Sequence, residues 1–158
     1  MKQRTLRADG NPLRSSYPNE AQQSPMTQSK VGRGMGFMLI VTGIGHFIFP
    51  QGLDAIVPGF LPGEPRLWTY LSGIAEIAIG CALLTPLSWK IGKNSLRLWA
   101  AIAALALFIA VYPANIKMAI DWSSRPMPDP LFAFARLPLQ FGLFYWAWAI
   151  IKTLRKVS

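Results

Sequence analysis

The sequence predicts an all-α protein, a bundle of four transmembrane helices with both termini in the cytoplasm. Hydrophobic residues make up 52% of the chain and charged residues only 15%, which is the composition of a membrane protein. The apolar residues come in four blocks rather than at amphipathic spacing, and a membrane span needs about 20 mostly apolar residues. The basic residues, in turn, collect on alternate connecting segments.

The four blocks predict spans at about residues 35–50, 67–85, 96–114 and 131–151, within a membrane domain over residues 34–152. Pro50 and Gly52 end the first span, and three prolines prevent a regular helix over residues 55–65. Because this outer segment is also apolar, we expect it to lie in the membrane interface or to fold back as a lid. Pro113 predicts a kink, followed by a helical extension to about Trp122.

The distribution of charge fixes the predicted topology. The formal net charge is +9, and the basic excess lies before the first span, between the second and third, and after the fourth. The positive-inside rule therefore places the termini and the middle loop in the cytoplasm. We expect residues 1–33 to be a disordered basic tail, with Met26 as an alternative start, and residues 153–158 to be a second basic tail. The charge is topological and does not predict nucleic-acid binding.

The side chains available exclude several kinds of chemistry. Cys81 is the only cysteine, so the chain cannot form an internal disulfide or a redox-active cysteine pair. His46 is the only histidine, which excludes a multi-histidine metal or haem site within one protomer. The sequence has no phosphate-binding loop and no nucleophile with an adjacent base. We therefore expect no catalytic or metal site in this chain alone, and at most the role of a subunit of an oxidoreductase.

Six polar side chains fall within the predicted spans or just past their ends, all toward the outer face of the membrane. They are His46, Ser72, Glu76, Asn115, Arg136 and Gln140. Three helices carry polar residues at i, i+4 spacing, with Thr42 preceding His46, and residues so spaced share one face of a helix. Pro138 also leaves a carbonyl without its helical donor, which is tolerated only where protein or water bonds it. The pattern predicts one shared polar pocket that binds a ligand.

Glu76 and Arg136 are the expected ion pair in this pocket, because each charge is costly in lipid by itself. Two interpretations of the pair remain open. It locks the second helix against the fourth, or Glu76 exchanges a proton or binds the head group of a ligand. His46, Asn115 and Gln140 have a structural alternative as well, as polar residues that join helices through hydrogen bonds.

The ordered motifs of the chain resemble those of the DoxX family. They are Gly45-His46-Phe47 with Pro50, Ser72-Gly73-x-x-Glu76 with Gly80, Tyr112-Pro113-Ala114-Asn115-Ile116, and Arg136-Leu137-Pro138-Leu139-Gln140. The resemblance covers about residues 34–151. It implies a small four-helix membrane protein with a link to quinones and to membrane redox enzymes. The chain departs from related dithiol redox proteins, because it lacks a cysteine pair.

The sequence and the resemblance lead to one main functional hypothesis and two alternatives. The main hypothesis is an accessory subunit of a membrane redox system that binds a quinone or another small ligand in the outer pocket. The alternatives are a structural or chaperone-type interaction protein, and a small-molecule or proton-coupled transporter. The expected partners are the lipid bilayer and either a redox enzyme or a second copy of the chain. The expected location is the bacterial plasma membrane.

Overall fold

A computed structural model describes residue 30 and residues 32–156. Within these residues the chain forms five helices and one short hairpin. They are α1 (Arg33–Ile48), α2 (Pro50–Asp54), α3 (Pro65–Leu84), β1 (Lys90–Ile91), β2 (Asn94–Ser95), α4 (Leu96–Trp122) and α5 (Asp129–Leu154). The predicted all-α class is therefore confirmed. The predicted tail over residues 1–33 and the alternative start at Met26 lie outside the described residues, apart from the last few positions of that tail.

Prolines set most of the helix boundaries. Pro50 and Pro65 occupy the first position of α2 and α3, where the missing N–H group is not needed. At the other end of α3, Thr85 is extended because it precedes Pro86, and the helix stops at Leu84. In α4 the helix instead continues through Pro113 to Trp122, so the predicted helical extension is confirmed.

The hairpin between α3 and α4 was not predicted. Lys90 pairs with Ser95 and Ile91 with Asn94, around a turn in which Gly92 adopts a φ of 64°. That left-handed backbone favours glycine, which is the signal that the sequence offered for a two-residue turn. The hairpin leads into α4 at Arg97, whose side chain is only 1% exposed and donates from Nε to the carbonyl of Thr85. Arg97 therefore joins the end of α3 to the start of α4.

The long helices pack as two antiparallel pairs, α1 with α3 and α4 with α5, and α3 also packs on α4. The larger group of buried apolar residues lies toward the end of the bundle that holds the hairpin and includes Met35, Leu83, Leu98 and Leu154. A smaller group, with Ile56, Met118 and Ala133, lies at the opposite end. The bundle is thus densely packed at the hairpin end, and the other end is free to form a cavity.

Two of the described helices, α3 and α4, are long and apolar enough to cross a membrane. This observation gives weak support to membrane association. α1 is apolar but has only 16 residues, and α5 has 26 residues but includes Arg136 and Gln140. The all-α class is thus confirmed, whereas the four predicted spans are not, since only two of the described helices meet both criteria.

Candidate functional site

A cavity of about 490 Å³ lies at the end of the bundle opposite the hairpin. All four long helices contribute to its wall, and so do α2 and the segment that follows it. The apolar outer segment folds over the helices as a lid. Five of its side chains line the cavity, namely Leu53, Ile56, Val57, Phe60 and Leu61. The lining is mostly apolar, and its polar side chains are His46, Thr69, Ser72, Glu76, Asn115 and Arg136.

Two charged or titratable residues of adjacent helices meet at this cavity. His46 Nε2 of α1 lies 3.4 Å from Glu76 Oε1 of α3, and the two side chains are only 16% and 14% exposed. The other carboxylate oxygen of Glu76 accepts a hydrogen bond of 2.6 Å from the Thr42 hydroxyl. Thr42 and His46 lie one turn apart on α1, so a single helix face supplies both partners of Glu76.

The second ring nitrogen of His46 is also bonded. Nδ1 lies 2.9 Å from the backbone carbonyl oxygen of Thr69 in the first turns of α3. Because a carbonyl oxygen can only accept, Nδ1 must carry the hydrogen and donate it. This bond fixes both the orientation of the ring and its tautomer, and it turns Nε2 toward Glu76.

Asp54 holds Thr69 in place from the side of the lid. The Thr69 hydroxyl donates to Asp54 Oδ1 over 2.6 Å, and Arg66 Nε donates to Asp54 Oδ2 over 2.7 Å. Desolvation raises the pKa of Asp54, but the hydrogen bonds from Thr69 and Arg66 outweigh it and leave this pKa below its ordinary value. An ionised Asp54 therefore links the end of α2 to the turn of α3 that orients His46.

Glycines bring His46 and Glu76 within reach of one another. A Cβ atom at Gly73 would lie 2.7 Å from His46 Cβ and 2.9 Å from the carbonyl oxygen of Gly43. A Cβ atom at Gly43 would likewise lie 2.8 Å from the carbonyl oxygen of Gly73 and 3.1 Å from Glu76 Cβ. The two backbones touch at this pair of glycines, and small residues are what permit so close an approach.

The predicted ion pair between Glu76 and Arg136 is wrong. Glu76 bonds to Thr42 and His46 instead, because α1 approaches α3 more closely at this depth than α5 does. Arg136 lines the cavity with an exposed side chain, and within the described part of the chain its guanidinium forms no hydrogen bond and no ion pair. The cavity therefore contains a cation whose hydrogen-bond donors are available.

Gln140 is the one predicted site residue that does not line the cavity. It is 4% exposed, accepts a hydrogen bond of 3.0 Å from Asn115 and donates to the carbonyl of Phe108 over 2.7 Å. This carbonyl lies beside the turn that Pro113 disturbs, since proline cannot donate to the carbonyl four residues before it. Gln140 is thus a structural bond between α5 and α4, and it holds Asn115 at the wall of the cavity.

Thr69 and Asp54 were not among the predicted site residues. Thr69 acts through its backbone carbonyl, which no side-chain pattern shows. The segment from Asp54 to Thr69 does contain an acid, a base and a hydroxyl, and this is the only signal that the sequence offered. Among the described residues no three His, Cys, Asp or Glu side chains are grouped so that they could hold a metal ion.

Comparison with known proteins supplies a family but no function. No curated protein matches the chain, and no solved structure matches it. Residues 35–151 match the family described as a domain of unknown function, DUF8561. The match runs from near the start of α1 to near the end of α5, so it includes every residue that lines the cavity. The chain therefore belongs to the DUF8561 family.

Proposed function

We propose that the chain is an integral membrane protein with four spans, formed by α1, α3, α4 and α5. Large apolar side chains on these helices are exposed, among them Val41 at 69%, Ile120 at 67% and Leu139 at 63%. So much exposed apolar surface is unfavourable in water and favourable in lipid. The basic residues at the two termini and between α3 and α4 then place these segments in the cytoplasm, and the cavity faces the outer side. A bacterial plasma membrane fits this arrangement.

We further propose that the cavity binds a small ligand with an apolar body and a polar head, of the quinone type. The observation that carries this proposal is the mixed lining, in which His46, Glu76 and Arg136 face a space otherwise bounded by apolar side chains. Ligand sites commonly combine such an apolar wall with a few convergent polar groups. The volume of about 490 Å³ is in the range of small-molecule sites. The resemblance to the DoxX family adds the link to quinones.

The polar residues take different parts in this proposal. Arg136 donates to an oxygen of the head group, because its guanidinium has only donors and no acceptor. His46 and Glu76 face a second side of the head group, and Ser72 and Asn115 also line the cavity. The segment from Leu53 to Leu61 covers the apolar body. Gln140 contributes indirectly, by holding Asn115.

We propose that the protein serves a membrane redox enzyme as an accessory subunit, or acts through a second copy of itself. The chain has no cysteine pair and no group of side chains suited to a metal within the described residues, so electrons would have to come from a partner. Holding the ligand, and exchanging protons with it, are the tasks for which this chain has side chains.

Mass spectrometry of an organic extract from the detergent-purified protein tests this proposal. We expect the wild type to retain a quinone and Arg136→Met to lose it while remaining folded. Arg125→Met is the matched control, because Arg125 is a cation that pairs with Asp129 outside the cavity. A quinone equally abundant in all three extracts, or only bulk lipid in each, would contradict the proposal.

A structural role is the second candidate, and one observation favours it. Thr42, His46 and Glu76 join α1 to α3 through contacts that need no ligand. On this account Glu76→Gln would lower the stability of the bundle and leave the binding of protein partners unchanged, whereas Arg136→Met, which removes none of these contacts, would leave the stability unchanged. Loss of partner capture from a Glu76→Gln protein of unchanged stability would argue against it.

A further inference from the structure

We infer that His46 and Glu76 hold one proton between them and that the cavity binds the oxygen of its ligand through this proton. The inference rests on the proposed binding of a ligand in the cavity and adds the mechanism of its recognition. The ligand class is a molecule with an uncharged acceptor oxygen, such as a carbonyl, attached to an apolar body.

The number of protons follows from the hydrogen bonds of the ring. Nδ1 of His46 gives its hydrogen to the carbonyl of Thr69, so in the neutral ring Nε2 has only a lone pair. Glu76 Oε1 lies 3.4 Å from this nitrogen, and an ionised carboxylate also has only lone pairs. Two acceptors at this distance in a partly buried site repel one another. One proton relieves the repulsion, either as imidazolium beside carboxylate or as imidazole beside carboxylic acid.

The geometry also makes this proton available to a ligand. At 3.4 Å, Nε2 and Oε1 are farther apart than the 2.7–3.2 Å of a well-formed hydrogen bond. Both residues line the cavity, and so does Thr69, whose carbonyl keeps the ring turned toward Glu76. An acceptor oxygen entering the cavity beside this pair can therefore accept the proton in a hydrogen bond of ordinary length.

The other charged groups around the pair do not replace this proton. Arg136 of α5 is a permanent cation in the same cavity and offers the ligand a second donor. Asp54 and Arg66 bond to one another and reach His46 only through Thr69. On α4 the nearest charges, Lys117 and Asp121, form a pair with each other. Among the described residues, the pair of His46 and Glu76 is thus the titratable donor of the cavity.

The test measures binding of a decyl-substituted 1,4-benzoquinone to the full chain in lipid nanodiscs between about pH 5 and 9, where histidine titrates. The oxidised quinone does not itself titrate in this range. We expect its affinity to be constant at low pH and to fall about tenfold per pH unit once the pair loses its proton, because only the protonated fraction binds. Decylbenzene, which has no acceptor oxygen, should not compete.

The Glu76→Gln variant distinguishes binding through the shared proton from binding to a polar wall that does not change with pH. Its amide keeps N–H donors at every pH, so we expect the affinity of the wild type at low pH and no fall at high pH. Glu64→Gln is the matched control, since Glu64 precedes α3 outside the cavity, and it should keep the wild-type profile. Tight binding by Glu76→Gln at low pH also shows that this variant is folded.

The single histidine permits a second measurement on the wild type alone. In a tag-free chain with ring-¹⁵N histidine, every imidazole signal comes from His46. We expect Nδ1 to be protonated at all pH values and the Nε2 signal to move when the quinone is added. A neutral ring protonated on Nε2 would overturn the inference even if Glu76→Gln did not fold.

The outcomes separate the inference from the proposed function. If the wild type shows no saturable quinone binding at any pH, or binds decylbenzene equally well, both fail. If the quinone binds saturably with a flat pH profile, or if Glu76→Gln is as pH-dependent as the wild type, only the shared proton is refuted. A steep wild-type profile, a flat Glu76→Gln profile and an Nδ1-protonated ring support both.

Discussion

The two helix pairs of this bundle are held together by different means. In the α1–α3 pair the backbones touch at glycines, with Gly36 against Gly80 and Gly43 against Gly73. In the α4–α5 pair each helix contains an internal proline, and buried amides join the two helices. In the membrane that we propose for this chain, lipid would remove most of the hydrophobic drive between helices, so packing and hydrogen bonds would have to supply the association. The α1–α3 pair depends on close packing, and the α4–α5 pair depends on hydrogen bonds.

This difference decides what each pair gives to the cavity. The close α1–α3 contact fixes the distance between His46 and Glu76. A small displacement of either helix would therefore change the geometry of the proposed shared proton. In the α4–α5 pair Gln140 instead donates to the carbonyl of Phe108, and Pro113 of α4 lines the cavity. A rigid wall carrying a titratable pair thus faces a wall interrupted by prolines, and the cavity lies between them.

Gly43→Ala would disturb the α1–α3 contact and should lower the free energy of unfolding more than the other changes considered. Its Cβ atom would meet the carbonyl of Gly73 at 2.8 Å, and backbone cannot yield as a flexible side chain does. We expect a loss of about 1–3 kcal/mol in unfolding free energy, typical of overpacking, together with loss of quinone binding. Gly45→Ala is the matched control, because nothing lies within 4 Å of a Cβ atom there. Denaturant titration in detergent compares the two, and equal stabilities would disprove the close contact.

Gln140→Leu would disturb the α4–α5 contact and should lower the free energy of unfolding by an intermediate amount. It removes both hydrogen bonds of Gln140, whereas Asn115→Leu removes only one of them. We expect a loss of about 1–2 kcal/mol for Gln140→Leu and a smaller loss for Asn115→Leu. The same denaturant titration, extended to the double variant, measures the coupling. Additive losses would mean that the two amides do not act as a unit.

Acidification should change the stability least, through the contact that Asp54 makes at the lid. The pKa of Asp54 is lowered in the folded chain by its bonds to Thr69 and Arg66, so its contribution to stability is complete above the ordinary aspartate pKa of about 3.9. That contribution is lost as the pH falls through the lower pKa of the folded state. Thermal unfolding from neutral to acid pH should show this loss in the wild type and not in Asp54→Asn. An identical acid response of both proteins would show that Asp54 does not stabilise the lid.

Much of the fold could be predicted because its causes are local. Proline positions and the length of the apolar blocks placed the long helices, including the continuation of α4 to Trp122. The hairpin was missed because its two-residue strands are too short to show a pattern. The burial of Arg97 was missed because a basic residue at a helix end is usually a topological charge.

The site was predicted in part, and its errors share one cause. Five of the six expected residues line one cavity, because they lie at similar depth in the bundle. The partner of Glu76 was wrong, and Gln140 bonds to Phe108 and Asn115 instead of lining the cavity. The first depends on which helices approach one another and the second on how far the cavity extends along α5, and spacing along one helix contains neither.

The sequence by itself determined the elements of this protein: the apolar helices, the segment rich in proline that covers them, and a set of polar residues at one depth. The tertiary structure alone decided which of these residues meet. Gly43 and Gly73 let α1 approach α3 until His46 reaches Glu76, and within the described residues Arg136 then has no ion pair in the cavity. The physical reason is that helix formation depends on residues close in the chain, whereas pairing depends on interhelical distance, which small residues set only when both backbones are in contact.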